Sequence, residues 1–93
     1  MKIYQSRLFE KKVKKMTKAE KEALDREVRN IAENPNIAEE KKGDLKGVFL
    51  HKFKLKTDLY LLAYRKCGSD LELVMIGSHE NYYRDLKSYL KSK

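Results

Sequence analysis

One histidine, two tyrosines and three evenly spaced lysines are the side chains of this sequence best suited to chemistry. His79 follows Gly77-Ser78 at the end of an apolar run, Leu73-Val-Met-Ile76, and Tyr82 and Tyr83 come three and four residues later. An imidazole with its ordinary pKa of about 6.5 takes or gives a proton near neutrality, and a helix N-terminus would favour its neutral form. Lys52, Lys54 and Lys56 alternate with Phe53 and Leu55, so on a strand their ammonium groups would share one face and could track successive phosphates. With 22 Lys and Arg against 14 Asp and Glu, a formal net charge of +8, the chain suits a polyanion such as nucleic acid, or an acidic protein partner. The same lysines would equally keep an exposed sheet face soluble. His51, the other histidine, shares strand parity with Phe49 and Phe53 and is the weaker catalytic candidate.

The elements that must position these residues are legible in the periodicity. Lys2–Gln5 has the character of a short strand. Ser6 can cap a helix whose apolar stripe is Phe9, Val13 and Met16, with Lys11, Lys12, Lys14 and Lys15 on its solvated faces. Thr17-Lys-Ala-Glu20 has the form of a capping box. It opens a second helix with Ala23, Leu24, Val28, Ile31 and Ala32 inward, ended by Asn34-Pro35 because the residue before proline resists helical geometry. The polar stretch 36–46 is a connection with room for one helical turn at Ala38–Lys41.

From Phe49 the period becomes two, and Phe49, His51, Phe53 and Leu55 make the buried side of a strand. Leu59–Tyr64 is nearly all apolar and suits a central strand. Cys67-Gly-Ser-Asp70 supplies a turn into another apolar strand, Leu71–Ile76. Tyr82, Tyr83, Leu86, Tyr89 and Leu90 then form a helical stripe in which Tyr82 and Tyr89 suit a core. The fold class is therefore α+β: a short first strand, a helical hairpin, an antiparallel three-strand meander and a C-terminal helix. The partner of the first strand cannot be read from periodicity.

Ninety-three residues suffice for one domain, residues 1–93, and not for two. At 41% hydrophobic and 39% charged with one proline, the chain is globular rather than disordered. Cys67 is the sole cysteine, which excludes an intramolecular disulfide and a cysteine-based metal cluster. Nothing approaches the roughly 20 apolar residues of a membrane span, and Met1–Arg7 is not followed by the apolar region of a signal peptide. A cytoplasmic protein without membrane contact is expected.

The order of these motifs resembles the RelE/ParE superfamily of bacterial type II toxins over nearly the whole chain. The resemblance rests on the helical hairpin, on Asp44-Leu-Lys-Gly-Val-Phe49 leading into the Lys52/Lys54 strand, on Leu62-Ala-Tyr64-Arg65, and on the closing Gly77-Ser-His79. Gly77-Ser78-His79 with an aromatic at Tyr83 is similar to the YafQ-like branch, and Lys52 and Lys54 match lysines that RelE-like members use on the RNA backbone. The resemblance implies a ribosome-dependent, metal-independent mRNA endonuclease with no cofactor, which blocks translation and is held by a cognate antitoxin. It implies acid/base work for His79, phosphate binding for Lys52 and Lys54, and substrate positioning for Tyr83. Further RNA contacts would come from Lys46, Lys56, Arg65 and Arg84, and Asp58 falls near another YafQ-like site position.

Two departures stand out. Leu61 occupies the place of an arginine that RelE-like toxins set against the scissile phosphate, and no histidine lies in residues 39–42, where YafQ-like toxins have one. Arg65 and Arg84 are the candidates for the missing charge. The alternatives are a ParE-like inhibitor of DNA gyrase and a catalytically degenerate module that only binds an antitoxin.

Overall fold

Two capped helices and the three strands of the meander are brought together by one mixed, five-stranded sheet. The structure, a computed structural model, describes residues 2–40, 47–78, 80 and 82–91, with residue 39 described by its backbone alone. In chain order the elements are β1 (Ile3–Gln5), α1 (Arg7–Lys14), α2 (Lys18–Glu33), β2 (Glu39–Glu40), β3 (Val48–Leu55), β4 (Asp58–Cys67), β5 (Asp70–Ser78) and α3 (Tyr82–Lys91). The strand order is β1-β5-β4-β3-β2. β3, β4 and β5 form the expected antiparallel meander, and β1 lies parallel to β5 with Ile3 opposite Leu71.

Both expected helix starts are observed. The Ser6 hydroxyl accepts a hydrogen bond from the Phe9 N–H at 3.0 Å, and Thr17 and Glu20 form the full reciprocal capping box. Each cap satisfies backbone donors that a helix leaves open at its first turn. Phe9, Val13, Met16, Leu24, Val28 and Ile31 pack on one face of the sheet against Phe53, Leu55, Leu62, Tyr64, Leu73 and Ile76. α3 covers part of the other face, where Tyr82 and Leu86 meet Val48, Leu50, Leu61, Ala63, Val74 and Met75. Leu61, Leu62, Ala63 and Tyr64 of the central strand β4 are wholly buried. The Tyr64 hydroxyl donates to the Pro35 carbonyl at 2.7 Å and ties the end of α2 to the sheet.

Three features depart from the periodicity. The helical turn expected at 38–41 is instead β2, an edge strand of two residues that pairs Glu39 with Leu50 and Glu40 with Phe49; residue 41 lies outside the described residues. Lys56 is not on the strand face with Lys52 and Lys54. It lies in the turn between β3 and β4 with φ +58°, because the hairpin must reverse there and one residue takes the left-handed conformation. The third departure is a bulge. Leu73 pairs with Tyr64 but Met75 pairs with Ala63, which leaves Val74 as an extra residue on β5. Its carbonyl accepts a hydrogen bond from the Ser6 hydroxyl at 2.5 Å. Among the described residues no helix is long and apolar enough to cross a membrane.

Candidate functional site

The candidate site begins with alternation along β3. Phe53 and Leu55 turn towards α1 and α2, whereas Val48 and Leu50 turn towards α3. Lys52 and Lys54 continue the α3-side series beyond Leu50 and are exposed. α3 therefore seals the Val48–Leu50 end of that strand and leaves the two ammonium groups in solvent. Across the sheet, Lys52 lies opposite Leu61 and Leu61 opposite Gly77; Lys54 lies opposite Leu59. Lys52, Leu61 and Gly77 thus form one row that ends two residues before His79.

The bulge decides which face that row joins. Leu71 and Leu73 belong to the α1/α2 side, yet Met75 belongs to the α3 side and Ile76 again to the α1/α2 side. One inserted residue inverts the parity of everything after it. Gly77 consequently faces α3, where a Cβ would lie 3.5 Å from the Tyr82 ring, an ordinary contact. Ser78 pairs with Tyr60 and lines the opposite face. His79 itself lies outside the described residues, as does Lys46.

α3 is fixed to the sheet at its first residue. The buried Tyr82 hydroxyl donates to the Met75 carbonyl at 2.9 Å, and burial pushes its pKa far up, so it remains a donor. Tyr83 meets the Tyr82 ring edge-on, with centroids 6.0 Å apart, and is half-buried against the α3-side core. It is the fourth residue after His79 in sequence.

The remaining candidates are scattered. Arg65 lies opposite Val48 and Glu72, four residues further along β4 than Leu61, a separation of about 13 Å along a strand. Its Nε and Nη2 both donate to Glu72 Oε1, at 2.9 and 2.6 Å. Arg65 is therefore not brought beside Lys52 and Lys54. Arg84 is exposed on α3, with Nε 3.6 Å from Asp85 Oδ1. Asp58 opens β4 opposite Leu55 and is exposed. Leu61 is wholly buried, so the position where the resemblance leads one to expect an arginine contributes packing and no charge.

His51 points away from Lys52 and Lys54. Its Nε2 lies 2.6 Å from Glu27 Oε1 on α2, and its ring stacks on Phe53 at 5.9 Å. The pair accounts for a polar ring within the α1/α2 layer.

On that same layer lies a cleft of about 170 Å³ whose floor is the Ile76–Ser78 end of β5 and whose walls include Lys12, Lys15, Met16, Glu20 and Tyr60. The Tyr60 ring leans on Phe53 at 6.3 Å, and burial, with Glu20 and Asp58 nearby, raises the pKa of its phenol. The sequence places Lys12 and Lys15 on a solvated face and gives Tyr60 no role. The missing signal was the pairing of Tyr60 with Ser78, which no local pattern reveals.

The chain belongs to the ParE-like toxins of type II bacterial toxin-antitoxin systems, whose family model matches residues 3–87. Its structure is similar to a chain of the intact E. coli RelBE toxin-antitoxin complex, with a TM-score of 0.68 and 20% identity over 85% of this chain and 96% of that one. The isolated E. coli RelE toxin gives a TM-score of 0.67 and 19% identity over 95% and 97%. The YoeB/ParE toxin from Agrobacterium tumefaciens gives 0.66 and 19% over 85% and 99%. At these identities the likeness is one of fold. A comparison with curated protein sequences gave no significant match.

Proposed function

We propose that this toxin enters the ribosomal A site and cleaves messenger RNA, halting translation. The observation that carries the reading is the exposure of Lys52 and Lys54 on the α3 side, with Lys52 in the sheet row that runs through Leu61 to Gly77, two residues before His79 in sequence. In the reaction the 2′-hydroxyl of one nucleotide attacks the adjacent phosphorus and the bond to the 5′-oxygen breaks. The products are a 2′,3′-cyclic phosphate and a free 5′-hydroxyl, and no protein nucleophile or metal is required. One proton leaves the 2′-hydroxyl and one is given to the departing 5′-oxygen, and we assign His79 to this acid/base work. Lys52 and Lys54 bind the scissile phosphate and offset the charge that builds on it, the strongest lever open to a preorganised site. Tyr83, braced on Tyr82, positions the substrate. With Leu61 buried and apolar, the two lysines carry the charge stabilisation without an arginine in their row.

The test is reconstitution: mRNA-programmed ribosomes are incubated with the protein, with EDTA added to pre-formed complexes, and RNA ends are mapped. Cuts confined to A-site codons, bearing 5′-hydroxyl ends, are expected. Intact mRNA on stalled and translating ribosomes alike would reject the reading. A cognate antitoxin is proposed as the second partner, supported by the likeness to a chain from a toxin-antitoxin complex. Binding only the folded toxin, it should raise the melting temperature by mass action.

Leu61 also favours a second reading, poisoning of DNA gyrase, which asks no hydrolytic group of the toxin. That reading predicts gyrase-cleaved DNA and intact mRNA after induction. The same end-mapping experiment, run beside a DNA-cleavage assay, separates the two.

A further inference from the structure

The lysines of α1 and of its C-cap, Lys15, are not equivalent. Lys12 is half-buried and Lys15 exposed, and both line the cleft beside Ser78; Lys11 and Lys14, on the same stretch of chain, are exposed and line no part of it. The cleft is smaller than the roughly 300 Å³ at which pockets for drug-sized ligands begin, so it suits one group of a longer polymer. Its donors are the ammonium groups of Lys12 and Lys15 and the hydroxyls of Ser78 and Tyr60; Glu20 is its one carboxylate, and Glu20 Oε1 already accepts from the Thr17 N–H at 2.8 Å. Tyr60 adds a half-exposed aromatic face braced from behind by Phe53. Cations paired with an aromatic face are what a protein needs to hold single-stranded nucleic acid irrespective of sequence.

The position adds direction. Tyr60 and Ser78 are cross-strand partners, one step along the sheet from the row of Lys52, Leu61 and Gly77 but on the opposite face. A strand of RNA held at Lys52 and Lys54 would round the end of β5 to reach the cleft. We infer that the cleft is a second RNA subsite, with a phosphate between Lys12 and Lys15 and the attached base against Tyr60, holding a nucleotide that flanks the one cleaved. This rests on the proposed RNA substrate.

The experiment measures binding of a fluorescent, non-cleavable 2′-O-methyl oligoribonucleotide to the full chain over a salt series. K12A/K15A should weaken binding about tenfold, and its salt slope should fall by roughly 0.7, the contribution of one phosphate on a single strand. K11A/K14A removes the same charge from the same stretch and should change affinity less than threefold. Y60A should weaken binding about tenfold without altering the slope, since stacking releases no counterions. Equal effects of the two lysine pairs, in a protein whose binding still falls with K52A/K54A, would overturn the subsite and leave the proposed function standing. Failure of the wild-type chain to bind the oligonucleotide at low salt would overturn the subsite, whereas the proposed function stands or falls on cleavage of ribosome-bound mRNA.

Discussion

The two faces of the sheet treat the same strand differently. On the α1/α2 side, β3 presents Phe53, Leu55 and a histidine that is closed off by Glu27 and a stacked ring. On the α3 side the strand presents Val48 and Leu50 under the helix, then Lys52 and Lys54 in solvent. α1 and α2 together reach the end of β3, whereas α3, ten residues long, stops short of it. The length of the cover, rather than the type of residue, decides which side chains stay exposed. A histidine under a long cover becomes part of the packing, and lysines past the edge of a short cover are available to a ligand.

The sharpest way to break this contrast is to treat the two histidines alike. His79→Ala is expected to lower ribosome-dependent cleavage by at least about 100-fold, the low end of what a positioned acid or base contributes; single-turnover rates would check it, and a near-wild-type rate would remove His79 from the chemistry. K52A/K54A should follow closely, with a loss of about 100-fold, comparable to removing a charge-stabilising donor. A smaller, different effect is expected at the junction of the faces. Ser6→Ala removes both the α1 cap and the partner of the Val74 carbonyl, and should cost about 2–3 kcal/mol in urea unfolding, with cleavage per folded molecule unchanged. The smallest effect belongs to the closed histidine. His51→Gln should lower stability by about 1 kcal/mol and leave the cleavage rate as it is. A rate loss at His51 rivalling that at His79 would abolish the distinction between the faces.

Much of the frame was legible because its causes are local. Ser6 and the Thr17–Glu20 box announce helix starts through side chains that satisfy backbone donors three residues away. Phe49 to Leu55 shows its two sides because one is wet, and alternation is visible only where the faces differ. Leu71–Ile76 shows nothing of the kind, since both of its faces are covered, and the bulge at Val74 was therefore hidden. The parity of Gly77 and Ser78 was hidden with it. Extending the alternation past Leu55 misplaces Lys56, which lies in the turn, and β2 leaves no signal because two residues in a polar stretch carry no period.

For the site, residue chemistry singled out Lys52, Lys54 and Tyr83, but not their arrangement with Leu61, nor the separation of Arg65, which spends its guanidinium on Glu72. The sequence by itself determined the caps, the helical hairpin, the meander and the surplus of positive charge, since each follows from neighbours within a turn or a strand. Only the tertiary structure decided where β1 docks, which face the end of β5 presents, and which two of four lysines flank a cleft. Those depend on strand register and on the reach of a covering helix, quantities fixed by residues some seventy positions apart, as Ser6 and Val74 are.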